Sequence, residues 1–315
     1  KPQILVLTAD LTASCEVDFF RQTYPDRFIS MGMAEQNMMS WAGGLAREGL
    51  EPWIHSFAVF TCRRPFDQVA MSIGYPNLKV RIVGFLPGIT TPGGVTHQAI
   101  DDVGLMRLIP NMTVLVTGDA TEVETVLDIA HNTPGPVYIS MLRGEMPRLF
   151  DTPMNNQVRV LSTGQDVAII SMGISTAEAN LARYWLQKSA NCSIQHIHVN
   201  CIKPLDEDSI IKAISHVKYG VAVVENHSVI GGLSSAIAEL ISRYNLGKRL
   251  VSRCIMDVYA HGASRAYLMK EMGIDAISIV HAVGEVLGKQ LIVKEQDLAA
   301  MPIQDVQGST NVEAL

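Results

Sequence analysis

Long hydrophobic runs are absent from this sequence: no apolar stretch approaches the roughly 20 residues that a membrane-spanning helix requires. We therefore expect no membrane partner, and the segment that begins at Lys1 has no signal-peptide character. Because the first residue is not Met, we also expect that the natural chain has residues upstream. The net charge of −6 leaves no basic stripe, which argues against a nucleic-acid partner.

Cysteine is scarce and forms no recognisable pattern. The five cysteines are odd in number and contain no C-x-x-C pair: Cys15, Cys62, Cys192, Cys201 and Cys254. A zinc site or a disulfide framework would need closer pairing, so we predict reduced thiols and a cytoplasmic location. The spacing of His196, His198 and His261 fits no metal-ligand set, and these histidines are predicted to be structural.

Several catalytic motifs are also missing. The sequence contains no G-x-x-x-x-G-K-S/T, no H-E-x-x-H and no G-x-S-x-G, which argues against P-loop nucleotidases, zinc proteases and α/β-hydrolases. No group of Asp and Asn follows a glycine turn, as a magnesium-diphosphate site would need. With 315 residues, 48% hydrophobic and 18% charged, the chain can still build the cores of two domains.

Short apolar runs alternate with helix-like segments along most of the chain, which is the pattern of an α/β protein with mostly parallel sheets. The strands predicted in the first half cover residues 3–8, 52–57, 79–84, 113–116 and 137–141. A composition break rich in proline and asparagine follows them. We predict two consecutive parallel-sheet α/β domains at residues 1–150 and 166–289, with a linker at 151–165 and a frayed tail at 290–315.

One stretch, residues 30–46, has only one charged group between Met33 and its end, Glu35. An extended segment gives way there to an apolar helical pattern rich in serine, alanine and glycine, which predicts a helix covered on most sides. Glu35 is then expected in the first turn. A carboxylate at this position acts either as a helix cap or as a proton relay. The pattern alone favours the cap, because caps far outnumber catalytic carboxylates.

Two further candidates lie after predicted strands. His97 ends a glycine-rich loop, residues 87–96, where an imidazole could reach a ligand or simply bond to the backbone at a helix start. Phe57 and Phe60 are spaced as core residues usually are, and the pattern alone favours a core role. Two arginines and a proline follow them at once, however, which also suits the edge of a cleft where a flat ligand could stack.

Arginines also follow the strand predicted at residues 137–141. Arg143 and Arg148 flank a glycine at the carboxyl end of that strand, where α/β sheets bind ligands. These arginines could bind a phosphate or a carboxylate. The pattern fits equally well with solvated charges on the surface of a linker. Ser14, which follows the first strand, is expected at the same edge. The run at residues 225–227, before a glycine pair, is predicted to be a packing signal.

Taken in order, the motifs resemble the transketolase family. The pyrimidine-binding domain of transketolases is matched by Ala9-Asp10-Leu11, Gly32-Met33-Ala34-Glu35-Gln36, Ser56-Phe57-Ala58-Val59-Phe60, Thr96-His97-Gln98 and Ile109-Pro110-Asn111-Met112. Their C-terminal domain is matched by Lys203-Pro204-Leu205-Asp206, Glu225-Asn226-His227 and Gly231-Gly232-Leu233. The resemblance extends to about residue 288 and is specific as an ordered set, although each motif alone is weak.

The resemblance implies thiamine diphosphate as the cofactor, which serves as an electron sink. Glu35 would then hydrogen-bond N1′ of the aminopyrimidine and favour the imino tautomer that accepts the proton of thiazolium C2. Phe57 and Phe60 would form the aromatic pocket around the pyrimidine, and Asp10 would line the same cavity. Arg63 stands where family members often have Tyr, so that wall of the pocket differs.

The resemblance also implies the substrate contacts. His97 would lie near the reacting carbons, and Ser14 and Arg143 would hold the phosphate of a sugar. Transketolases commonly have an Asp where this chain has Gly93 and a phosphate-binding His where it has Phe85. These two departures predict an altered sugar, such as the branched ketose apulose 4-phosphate.

The resemblance does not include the diphosphate-binding domain of transketolases, which holds the metal ion and the diphosphate of the cofactor. We therefore expect a split transketolase, a glycolaldehyde transferase that moves a two-carbon ketol unit between sugar phosphates. An N-terminal partner subunit would hold Mg²⁺ or Ca²⁺, with no metal site in this chain, in an α₂β₂ heterotetramer. The alternatives are a subunit like 1-deoxyxylulose-5-phosphate synthase, the β subunit of a 2-oxo-acid dehydrogenase, and a non-catalytic regulatory subunit. The Thr96-His97-Gln98 motif fits sugar enzymes better than dehydrogenases.

Overall fold

Two β-sheets, one of seven strands and one of five, form the centres of two α/β layers. The computed structural model describes residues 1–299 and residue 301. The strands are β1 Ile4–Thr8, β2 Phe28–Ser30, β3 Glu51–Phe57, β4 Arg81–Phe85, β5 Thr113–Val116, β6 Val137–Met141, β7 Arg159–Ser162, β8 Val167–Met172, β9 Ile194–Val199, β10 Cys201–Lys203, β11 Gly220–Ser228 and β12 Arg249–Ile255. Most neighbouring pairs are parallel, which confirms the predicted fold class.

The first sheet has the strand order β10-β5-β6-β4-β3-β1-β2. Its central strands are in register, so that Phe57 of β3, Phe85 of β4 and Met141 of β6 share one row at the carboxyl edge. The edge strand β10 runs antiparallel to β5 and comes from the second half of the sequence. The sheet is therefore completed by a segment that the sequence assigned to the other domain.

The second sheet has the order β12-β11-β8-β9-β7. Its edge strand β7 pairs antiparallel with β9 and lies inside the segment that we predicted to be a linker. The run Arg-Val-Leu-Ser is short and only half-buried, so it carries no strand signal strong enough to stand out in the sequence. The strand forms because its backbone pairs with β9.

Helices cover the sheets: α1 Asp18–Thr23, α2 Glu35–Arg47, α3 Ala58–Cys62, α4 Phe66–Gln68, α5 Asp102–Leu108, α6 Ala120–Asn132, α7 Ser175–Ser189, α8 Glu207–His216, α9 Leu233–Arg243, α10 Arg265–Glu271, α11 Ala276–Leu287 and α12 Glu295–Ala299. Helix α5 begins at Asp102, because the loop before it continues past His97. Within the described residues, no helix combines the length and the apolar character needed to cross a bilayer.

The tail contains one element that was not predicted. We expected no regular structure after residue 290, yet α12 forms at Glu295–Ala299 and buries Leu298 against the second domain. The remainder of the predicted frayed tail, residues 300 and 302–315, lies outside the described residues.

One apolar cluster joins the two sheets. It contains Leu7 and Ile54 of the first sheet together with Val223 of the second sheet and Leu233 of α9. All four side chains are fully buried. Burial of apolar surface is the main stabilising term in folding, so this shared cluster also fixes the relative position of the two layers.

Candidate active site

The candidate site lies at the carboxyl edge of the first sheet, where β1, β3, β4 and β6 end. Open parallel sheets bind their ligands at this edge, because the strand-to-helix loops converge there. The loop that connects β4 to α5 carries His97. Side chains from four separate segments of the chain meet in front of it.

Glu35 is the first residue of α2 and is only 5% exposed. Its Oε1 accepts a hydrogen bond from Nη1 of Arg64 at 2.9 Å. A helix cap would instead use the carboxylate to accept a backbone N–H of the first turn. The structure thus places a buried carboxylate in front of an arginine whose side chain is 53% exposed.

Two phenylalanine rings form the wall beside Glu35. Phe57 ends β3 and is 3% exposed, whereas Phe60 lies in α3 and is partly exposed. Their ring centroids are 6.0 Å apart with an interplanar angle of 27°, which is an offset stacked pair. The guanidinium carbon of Arg64 lies 4.1 Å from the Phe60 centroid and adds a cation–π contact.

His97 contacts both rings of the aromatic wall. Its ring meets Phe60 edge-on at 5.5 Å and Phe57 at 6.2 Å. Its Nδ1 lies 2.9 Å from the hydroxyl oxygen of Thr96, and its backbone N–H bonds to the carbonyl of Gly94. Gly94 has a φ of +72°, so this turn uses a backbone conformation that glycine adopts without strain.

Arg63, the neighbour of Arg64, contacts the loop that follows His97. Its Nε lies 3.0 Å from each carboxylate oxygen of Asp101, and its Nη2 donates to the backbone carbonyl of Gln98 at 3.2 Å. It therefore holds the loop after His97. The guanidinium that contacts both Glu35 and Phe60 belongs to Arg64, which the position-by-position comparison with the family missed.

Arg143 and Ser14 meet at the far side of Phe57, as predicted from the sheet edge. Nη1 of Arg143 donates to the carbonyl of Ser14 at 3.2 Å, and its guanidinium carbon lies 5.8 Å from the Phe57 centroid. Cys15, the residue after Ser14, is buried. Burial raises the pKa of its thiol to about 12, which makes the thiol unreactive. Arg148 lies elsewhere, in an ion pair with Glu124.

Asp10 follows β1 at the same edge of the sheet. It is exposed and has a φ of +61°, a left-handed conformation that Asp tolerates better than most residues. The register of β1 with β3 places Thr8 beside His55, so the chain at Asp10 continues toward the level of Phe57. The structure thus brings Asp10 to the predicted edge.

His55 precedes Phe57 by two residues on β3 and contacts the neighbouring Phe85 ring. His55 lies 5.9 Å from the ring of Phe85, and burial lowers the pKa of His55 to about 4. Phe85 itself is 4% exposed and continues the row that contains Phe57. At neutral pH, Arg143 therefore carries a positive charge near Phe57, whereas His55 does not.

The arrangement suits a flat heterocycle with an anionic substrate beside it. The stacked phenylalanines offer an aromatic surface, and Glu35 can bond to a ring nitrogen or its N–H. His97 can exchange protons, and Arg143 can bind an anionic group. Within the described residues, no group of three or more His, Cys, Asp or Glu side chains is arranged to hold a metal ion.

Comparison with known families gives two matches that together cover most of the chain. The family model described as the transketolase pyrimidine-binding domain matches residues 1–148. The model described as the transketolase C-terminal domain matches residues 156–279.

Individual proteins are similar over nearly the full length. The 6-deoxy-6-sulfo-D-fructose transketolase subunit SqwH of Clostridium sp. is 38% identical over 90% of this chain and 88% of its own length. An apulose-4-phosphate transketolase subunit of Actinobacillus succinogenes is 32% identical over 88% of this chain and 90% of its own length. Several 1-deoxy-D-xylulose-5-phosphate synthases match at 28% to 31% identity, and the chain spans less than half of their length.

One solved structure is similar in both sequence and fold. It is named split gene transketolase, inactive beta4 tetramer, and it superposes with a TM-score of 0.83 at 35% identity. The match covers 91% of this chain and 93% of that one.

Proposed function

Because this chain belongs to the transketolase family, with its pyrimidine-binding and C-terminal domains, we propose that it is one subunit of a split transketolase. It transfers a two-carbon ketol unit between sugars once it is assembled with its partner. The observation that carries this proposal is the buried Glu35 near the stacked pair of Phe57 and Phe60, with His97 in edge contact with both rings.

The site residues fit thiamine diphosphate on the pyrimidine side. A buried carboxylate beside two aromatic rings matches the needs of an aminopyrimidine, which presents a flat face and a basic ring nitrogen. In this proposal Glu35 bonds to that nitrogen, and Phe57 and Phe60 enclose the ring. Arg63 and Asp10 line the surrounding cavity. When bound, the cofactor supplies the electron sink for the ketol unit.

His97 acts on the substrate side of the site. Its ring faces the aromatic pair and holds or moves a proton at a substrate hydroxyl. Arg143 and Ser14 hold the anionic end of the sugar, since a guanidinium binds phosphate and sulfonate oxygens alike. The acceptable donors therefore include branched phosphates such as apulose 4-phosphate and, as the name of the Clostridium relative suggests, sulfosugars.

The partner is an N-terminal transketolase subunit that carries the diphosphate-binding domain and its Mg²⁺ or Ca²⁺. We propose an α₂β₂ heterotetramer in the cytoplasm. The similar structure is named as an inactive beta4 tetramer, so a homotetramer of this chain is the alternative state in the absence of partner. Within this chain, the proposed domains are residues 1–150 and 166–289, and β7 and α12 extend the second domain on both sides.

Mutation of Glu35 tests the proposal in the complex reconstituted with a candidate partner encoded next to this chain. We expect Glu35→Gln to lower ketol transfer at least about 100-fold, because the amide cannot replace an essential proton-exchanging carboxylate. The thermal unfolding midpoint should stay near that of the wild type. Glu48→Gln, at the exposed end of the same helix, removes the same charge and serves as the matched control.

The alternatives predict different outcomes. Turnover of pyruvate without turnover of ketose phosphates or sulfosugars would favour a synthase or a dehydrogenase. Cofactor binding without any turnover would favour a non-catalytic subunit. Unchanged ketol transfer in Glu35→Gln would overturn the role of Glu35.

A further inference from the structure

The loop that carries His97 is held by the second domain through Asn226. This residue lies near the end of β11 and reaches across to the start of the loop. Its Oδ1 accepts the N–H of Ile89 at 3.0 Å, and its Nδ2 donates to the carbonyl of Pro87 at 3.1 Å. One partner is a donor and the other an acceptor, so the orientation of the amide is fixed by its contacts.

Gly88, which lies between Pro87 and Ile89, leaves the space that the side-chain amide of Asn226 occupies. It has a φ of +60°, and a Cβ at this position would overlap the amide group of Asn226. Its N–H bonds to the carbonyl of Ala99 at 2.8 Å, which closes the loop at its base. The base of the loop is thus shaped to accept a planar amide from the other domain.

Three other contacts hold the loop from the same domain. The N–H of Ser228 donates to the carbonyl of Ile100 at 2.7 Å, and the amide of Gln98 donates to the carbonyl of His261 at 3.2 Å. The backbone N–H of Gly104 donates to Nε2 of His227 at 3.1 Å. The second domain therefore contacts the loop at its start, next to His97 and at its end.

We propose that Asn226 is a positioning residue for His97. By fixing residues 87–89, it holds the closed loop so that His97 stays against Phe57 and Phe60. This inference rests on the proposed function, because it assigns His97 to the substrate. It also gives the second domain a part in catalysis, although no side chain of that domain needs to touch the substrate.

We expect a large effect on kcat from substitution of Asn226, although this residue does not contact the substrate. Displacement of a catalytic group by about 1 Å can cost about 100-fold in rate. Loss of two hydrogen bonds at the base of a loop shifts its tip by a fraction of that distance. We therefore expect Asn226→Ala to lower kcat about tenfold, with a smaller change in KM.

Amide hydrogen exchange on the full chain tests whether the contacts of Asn226 with Pro87 and Ile89, here called the clamp, hold the loop. This measurement does not require enzyme activity. Asn226→Ala should speed exchange at residues 88–99 at least about tenfold relative to the wild type. Asn200→Ala is the matched control, since Asn200 also bonds across the domains, to Glu122 at 3.0 Å, but does not touch the loop. Equal exchange of the loop in Asn226→Ala and the wild type would overturn the clamp.

A double-mutant cycle in the reconstituted complex tests the link to His97. Asn226→Ala should lower kcat about tenfold with His97 present and less than about twofold in the His97→Ala background. Asn226→Asp keeps an acceptor for Ile89 but sets a carboxylate oxygen against the carbonyl oxygen of Pro87, so it should lose at least as much as Asn226→Ala. Equal losses in both backgrounds, or an equal loss in Asn200→Ala, would overturn positioning. If the wild-type complex shows no ketol transfer, the proposed function fails, and the exchange result still decides the clamp.

Discussion

The two phenylalanines of the site differ in exposure, and this difference separates ligand binding from folding. Phe57 is 3% exposed and belongs to the apolar core of the first sheet. Phe60 is partly exposed and only packs against that core. A residue that serves both the core and the site cannot be removed without unfolding part of the protein, whereas a residue at the rim can.

We expect Phe60→Ala to weaken thiamine diphosphate binding about fivefold, because an aromatic contact contributes about 1 kcal/mol. Phe57→Ala should instead lower the free energy of unfolding by about 3–5 kcal/mol, the range for large core deletions. Titration of the reconstituted complex and urea denaturation of the chain measure the two effects. A similar loss of stability in both variants would contradict the assignment of Phe57 to the core and of Phe60 to ligand binding.

The sequence could identify most of these residues but not the contacts that hold them. Arg143 was expected at the carboxyl edge of the sheet because it follows a predicted strand. Glu35, Phe57, Phe60 and His97 were brought into one site only by the resemblance to the transketolase family. Arg64 was missed because adjacent arginines differ only in side-chain direction, which motif spacing does not encode. Asn226 was assigned to packing because its partner is 137 residues away in the sequence.

At the scale of elements, helix α2 contains two adjacent glycines in opposite surroundings. A Cβ on Gly43 would collide with the backbone oxygen of Ser72, in the π-helical segment Val69–Gly74. A Cβ on Gly44 would meet nothing within 4 Å. Gly43 therefore permits the close approach of two helical segments, while Gly44 costs helix stability without a packing contact inside this chain.

The two alanine variants should change stability in opposite directions. Gly44→Ala should raise the free energy of unfolding by about 1 kcal/mol, the helix propensity difference. Gly43→Ala should lower it by about 1–3 kcal/mol, because the propensity gain is smaller than the cost of the forced backbone shift. Urea denaturation of the chain without partner measures both. Stabilisation by Gly43→Ala would show that the two segments can separate at little cost.

Elements with strong local patterns were predictable, and elements that depend on pairing were not. The expected bounds of β5 and β6 agree with those observed, since both are apolar runs between clear turn signals. The edge strands β7 and β10 have four and three residues and form by pairing with distant strands. Helix α3 was missed because it follows β3 without a break, so no turn signal separates them.

At the scale of the molecule, a buried polar network joins the two domains. Glu122 of α6 is fully buried and bonds to His198 at 3.0 Å, to Asn200 at 3.0 Å and to Arg159 at 2.8 Å. Burial alone would raise the pKa of Glu122, but the charge and hydrogen bond of His198, with the bonds from Asn200 and Arg159, lower it to about 2. Three of the groups that stabilise this anion come from the second half of the chain, so docking of the domains favours the ionised carboxylate.

This lowered pKa predicts how the stability of the whole molecule depends on pH. The folded value of about 2 lies below the ordinary 4.5, so the contribution is complete above pH 4.5 and is lost as the pH falls toward 2. Glu122→Gln should therefore lower the free energy of unfolding by about 3 kcal/mol at pH 7, and the difference from wild type should shrink by roughly half at pH 3.

Urea denaturation at pH 7 and pH 3 measures this difference. The matched control is Glu124→Gln on the same helix, because the side chain of Glu124 is 61% exposed and pairs with Arg148 at the surface. Exposed pairs contribute little, so this variant should follow the wild type at both pH values. A Glu122→Gln difference that stays constant between the two pH values would mean that the network holds the domains together through packing, without the ionised carboxylate.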